Sequence, residues 1–154
     1  MKNLSLLLVC CLLATNLFFA CGEKDDVTPT PTATLYERLG GITAISAVVD
    51  QFLTNVVGDN AINARFAVTV ANPSRTQLLR NNLIDQICAG AGGPCQYKGK
   101  TMLAAHSGMQ ITDAEFNALV GDLVSALDHF SVPQTEKNEL LAILGPMKSD
   151  IVGH

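Results

Sequence analysis

Between residues 97 and 106 the chain reads YKGKTMLAAH, which places a phenol (Tyr97), two ammonium groups (Lys98, Lys100), a thioether (Met102) and an imidazole (His106) within one turn-rich stretch. A neutral imidazole is the commonest protein ligand for a transition metal. Lysine ammonium groups offset carboxylates, and an aromatic ring and a soft thioether pack against flat apolar surfaces. Together these groups suit an anionic aromatic cofactor. His106 is then either a metal ligand or simply one of three histidines. His129 and His154 have no comparable surroundings: His129 falls off the apolar stripe near a helix end, where a cation complements the dipole, and His154 is the last residue.

The elements that must position this stretch are helical. Ile45, Val48, Val49, Phe52, Leu53 and Val56 follow the i, i+3, i+4, i+7 spacing of one helix face, after Gly40-Gly41 and before GDN at 58–60. Leu78, Leu79, Leu83, Ile84 and Ile87 form a second run, with NPS at 72–74 supplying a cap and a first-turn proline. Phe116, Leu119, Val120, Leu123, Val124 and Leu127 form a third, opened by a Thr112/Glu115 capping box. A fourth, Leu140 to Ile151, is interrupted by Gly145-Pro146, where a break is expected. No stretch alternates as a strand. The class is therefore all-α, with four main helices and one or two short ones. Two connections, 59–73 and 89–111, are long for a compact helical domain, and long connections tend to carry function.

The N-terminus is of a different kind. Lys2 is followed by an uncharged apolar run of 17 residues, Leu4 to Ala20, and then Cys21. This is the layout of a signal peptide, and the run is short for a membrane span. Residues 18–21, FFAC, resemble a bacterial lipoprotein box with Phe18 where leucine is usual, which makes Cys21 a candidate for lipidation. The expected organisation is a signal peptide at 1–20, a flexible polar linker at 21–33 and a folded domain at 34–154. Removing residues 1–20 costs one lysine and takes the net charge from −4 to −5, which excludes a basic nucleic-acid footprint. Cys88 and Cys95 then remain, as a disulfide or as two free thiols.

LYERLGGITAI (35–45), VVDQFL (48–53), ARFA (64–67), GGPCQYKGKTM (92–102), AAHSGMQIT (104–112) and FNALVGDLVSAL (116–127), taken in order, resemble the group I truncated haemoglobins. The resemblance spans nearly all of 34–152. It implies a two-over-two helical sandwich holding haem b, with His106 as the proximal iron ligand and the opposite axial position open to a diatomic gas. It also implies pocket roles for Phe52, Phe66, Met102, Ile111, Phe116 and Val120, each equally readable as ordinary core, and propionate contacts for Tyr97 and Lys100.

On the distal side the resemblance is broken. Where many members carry a tyrosine after the first-helix phenylalanine, this chain has Leu53, and the polar positions of the next helix correspond to Leu79, Asn82 and Leu83, with Gln86 one turn on. A donor to bound O₂ stabilises it by about 1.5–3 kcal/mol, as hydrogen bonds to charged groups do. Only Asn82 and Gln86 can supply one, so weaker O₂ retention is expected than in members with the tyrosine. Three functions are open. The leading one is an exported, lipid-anchored haem protein binding O₂, NO or CO, served by an unidentified electron donor. The second is a haem enzyme for NO dioxygenation or peroxidase-like turnover, and the third is a haem-free helical interaction domain.

Overall fold

The computed structural model describes residues 32–154, which form one compact unit. The expected signal peptide, Cys21 and most of the linker lie outside the described residues. Helix α1 (Leu35–Arg38) opens with a capping box in which the Glu37 amide donates to Thr34 Oγ1 at 3.2 Å and the Thr34 amide donates to Glu37 Oε2 at 2.8 Å. Gly40, at φ +89°, and Gly41, at φ +71°, turn the chain from α1 into α2 (Gly41–Gly58), a backbone conformation that favours glycine at both positions.

Helix α2 is the centre of the fold. It buries Ile45, Val48, Val49, Phe52 and Val56, and packs against both α4 (Pro73–Gly90) and α6 (Asp113–His129). Helix α4 begins at the expected cap, where the Arg75 amide donates to Asn72 Oδ1 at 3.1 Å and Pro73 occupies the first turn. Helix α6 begins at the expected Thr112/Glu115 box. Val49, Val56, Leu127 and Leu140 are almost wholly buried. Each such side chain contributes roughly 1.5–3 kcal/mol of transfer free energy, which makes the α2 face the main apolar support of the sandwich.

The fourth apolar run divides as its Gly-Pro pair requires. Helix α7 (Gln134–Leu144) stops before Gly145, and Gly145–Asp150 continues as a tighter 3₁₀ segment, since Pro146 cannot donate a helical hydrogen bond. Arg38 of α1 ties to Glu136 and Glu139 of α7, which joins the two ends of the domain. The two long connections are not bare. The first holds α3 (Asn63–Val70) and the second α5 (Met102–His106), so with α1 there are three short helices where one or two were expected. Neither α3 nor α5 buries a residue. An apolar stripe therefore could not announce them. No strand occurs among the described residues, and their only pairing of that kind is an isolated bridge between Ile111 and Val152.

Candidate functional site

A helix of five residues cannot hold itself, and α5 is fixed from outside. Ahead of it, Cys88 in the last turn of α4 is joined by a disulfide to Cys95, with Cα atoms 5.7 Å apart. Gly93 lies inside this loop, where a Cβ would come within 2.5 Å of the Tyr36 ring and 2.7 Å of Cys88 Sγ, so no larger residue fits. Tyr97 then donates its hydroxyl to the Lys100 carbonyl at 2.7 Å and lies across Gly99, where a Cβ would meet the hydroxyl oxygen at 2.3 Å and the ring at 2.4 Å. Thr101 caps α5 by accepting from the Ala104 amide at 3.3 Å.

Behind α5 the chain is clamped a second time. Arg65 of α3 donates to the Met109 carbonyl at 2.8 Å and grips Glu115 with two hydrogen bonds of 2.6 and 3.1 Å. That guanidinium, helped by the Thr112 amide and hydroxyl, holds the Glu115 carboxyl down at about 2. The C-terminal residues complete the strap: the Gly153 amide donates to the Ile111 carbonyl at 2.9 Å and the Gln110 amide to the His154 carbonyl.

His106 closes α5 and lines a cavity of about 480 Å³ between α3, α4, α5 and α6, within the range of cofactor sites. Its Nδ1 lies 2.8 Å from the Met102 carbonyl oxygen. A carbonyl only accepts, so Nδ1 carries a proton, and in the neutral ring Nε2 keeps its lone pair. This is the arrangement of a metal-ligating histidine, in which one ring nitrogen is tied back and the other is free to coordinate.

The cavity brings together most of the residues singled out in the sequence. Phe52, Phe66, Tyr97, Lys100, Met102, Ile111 and Phe116 line it, as do Leu79, Asn82, Leu83 and Gln86 from α4. Leu53 and Val120 do not. Leu53 follows Phe52 by one residue, about 100° around the helix, and packs against the core instead. On α6 the second cavity-lining turn is Leu119, three residues after Phe116, which leaves half-buried Val120 to one side. The cavity is also lined by Arg65 and Thr69 of α3, Arg75 of α4, Met109 in the turn after α5 and Glu115 of α6, none of which the sequence singles out as site residues. The one available signal was that Arg75 closely follows the NPS cap at the cavity end of α4.

The polar groups sort by whether they are already spent. Arg38, Arg65, Arg80, Lys137 and Lys148 are each ion-paired. Arg75, Lys98 and Lys100 have no acidic partner among the described residues, and Arg75 and Lys100 line the cavity. A largely apolar chamber, a single imidazole with a free nitrogen and two unspent cations fit a flat, apolar, dicarboxylate metal macrocycle. A helical sandwich enclosing such a chamber defines a haem protein of globin type.

The comparisons with known proteins agree. The bacterial-like globin family model matches residues 34–152, and the chain belongs to that family. It is 31% identical over 119 residues to a group 1 truncated haemoglobin of Mycolicibacterium paratuberculosis, covering 77% of this chain and 84% of the relative. It is also 31% identical over 120 residues to a group 1 truncated haemoglobin of Tetrahymena pyriformis, covering 78% and 95%. Among solved structures, the Fe(III) form of the T. pyriformis truncated haemoglobin superimposes with a TM-score of 0.71 at 30% identity, over 79% of this chain and all of that one. The 2/2 haemoglobin of a Synechococcus species does so with a TM-score of 0.71 at 28% identity, over the same shares. The fold is that of the truncated globins and the cofactor is haem. The haem-free interaction domain is set aside.

Proposed function

We propose that this chain is a gas-binding haem globin in which His106 supplies the protein's ligand to the iron, and that it works outside the cytoplasm, anchored by lipid at Cys21. The observation that carries the first part is the 2.8 Å hydrogen bond from His106 Nδ1 to the Met102 carbonyl at the wall of the cavity. Haem, when bound there, would supply an iron able to take a small diatomic molecule.

The rest is done by the chain. Met102 fixes the tautomer and direction of His106 through its carbonyl. Phe52, Phe66, Phe116 and Leu83 keep the chamber apolar and exclude water. Arg75 and Lys100 offer their charges to the two carboxylates, and Arg65 is excluded from that task because Glu115 already holds it. On α4, Asn82 has no side-chain hydrogen bond among the described residues, so its amide is the lining donor left free for an incoming ligand. Reversible gas binding, rather than O–O cleavage, suits a wall where the one acid, Glu115, is held ionised by Arg65 and cannot donate a proton.

The test is an absorption spectrum of the purified protein loaded with haem, oxidised, reduced and under CO. A Soret band that moves on reduction and again with CO is expected. In His106→Ala the histidine-ligated spectrum should disappear and return in part with added imidazole. An unchanged His106→Ala spectrum would overturn the assignment.

A further inference from the structure

The free amide of one α4 residue is spent in an unusual way. Gln86 Nε2 lies 3.5 Å from Met102 Sδ and 3.2 Å from Met147 Sδ. Met147 belongs to the 3₁₀ segment and Met102 opens α5, so one half-buried amide reaches two further elements. Thioether sulfur is a weak acceptor, and a glutamine free to choose would bond a carbonyl or water. Both sulfurs nevertheless sit within hydrogen-bonding reach of the same nitrogen.

Met102 is the junction. Its side chain takes the Gln86 amide while its carbonyl takes the His106 Nδ1 proton. Helix α5 buries no residue of its own, so the first turn that carries this carbonyl depends on such contacts for its position. Thr101 caps the backbone of the first turn, and the remaining restraints act at a distance, on the loop before α5 through Cys95 and on the turn after it through Arg65 and the C-terminal strap. Gln86 acts on the junction itself.

We propose that Gln86 is a positioning residue for the iron ligand: by holding the thioethers of Met102 and Met147 it fixes the Met102 carbonyl, and with it the tautomer and direction of the His106 ring. This rests on the reading of His106 as the haem ligand. It assigns Gln86, expected from the sequence as a distal-pocket donor, to the proximal side. The structural basis is that its amide nitrogen lies within hydrogen-bonding reach of the sulfur of Met102 in α5.

The experiment compares the full chain with Gln86→Leu and Met147→Leu, both of similar volume and lacking the donor or the second sulfur. In the ferrous, ligand-free haem protein the iron–histidine stretching band should shift or broaden in both variants. Haem transfer to an excess of apomyoglobin should quicken by roughly tenfold in Gln86→Leu, the lower end of the range for partners behind a metal ligand. In haem-free protein at neutral pH, ring ¹⁵N shifts of His106 should pass from a single Nδ1–H tautomer to a mixture. A Gln77→Leu variant, at an exposed α4 residue outside the cavity, should leave the stretching band in place. An unchanged band and transfer rate in Gln86→Leu and Met147→Leu would overturn the proposal. Should Gln86→Leu fail to fold, Met147→Leu and the tautomer measurement decide it. A wild-type protein that takes up no haem would instead refute the reading of His106, while the tautomer measurement would still report on Gln86.

Discussion

Glu115 shows how a single side chain couples the cavity wall to solution conditions. Its carboxyl sits at about 2 in the fold against an ordinary value of 4.5, first because Arg65 donates to it and then because Thr112 does. A depressed carboxyl contributes stability that is complete above its unfolded value and is lost as pH falls through the folded one. The clamp over the turn after α5 should therefore be intact above about pH 4.5 and gone near pH 2. Thermal unfolding of wild type and Glu115→Gln checks this: the wild type should melt higher at neutral pH, and the gap should close as the pH approaches 2. A gap independent of pH would show that the carboxylate's charge is not what Arg65 uses. The same residue marks the limit of reading a site from spacing. Tyr97, Lys100, Met102 and His106 were legible because they are close in sequence and chemically unlike their neighbours. Arg65 and Glu115 are 50 residues apart, and Glu115 already had a sufficient explanation as the partner in a capping box. Leu53 was misplaced because an apolar residue one position from Phe52 is equally at home on the core face, and only the rotation of the helix decides which face it takes.

Among elements, α2, α4 and α6 were legible because each buries a periodic stripe, and their caps were legible because Asn72-Pro73 and Thr112/Glu115 satisfy end groups locally. Helix α5 was legible only as a short helix behind a glycine-rich loop, with no apolar stripe to mark its ends. It is held by a covalent link and by side chains from elsewhere, so its own five residues carry little pattern. The Cys88–Cys95 bond is the restraint nearest to the loop that carries Tyr97 and Lys100, and it closes a separation of seven residues. In the chain-entropy account a loop of that size is worth roughly 2–3 kcal/mol. Replacing both cysteines by serine should lower unfolding stability by about that amount, with some addition because Cys88 is fully buried among apolar groups and a hydroxyl there lacks a partner. Haem transfer to apomyoglobin should quicken as well, since the loop then has more freedom. Denaturant unfolding with and without a thiol reductant measures the first effect. Equal midpoints for wild type in the two conditions would mean that the bond is absent from the purified protein.

At the scale of the whole molecule, two separate features of the chain bear on one question, the compartment in which the domain works. An apolar N-terminal run ahead of Cys21 is a reason to expect export, and two cysteines joined across a loop are what an oxidising compartment preserves. Neither depends on the other. Among the described residues, those lining the cavity run from Phe52 to Ile151. Anchoring and gas binding should accordingly separate. Expressed at full length in a bacterium that processes lipoproteins, the protein should sediment with membranes, begin at Cys21 and carry acyl mass on that residue. Cys21→Ser should remain uncleaved or be released, while its haem spectrum and CO difference spectrum stay those of wild type. Intact mass measured without reductant should find the Cys88–Cys95 pair two hydrogens lighter than the dithiol in the membrane-bound form. A soluble, unacylated product with reduced Cys88 and Cys95 would place the globin in the cytoplasm and remove the case for a lipid anchor, without touching the argument for His106.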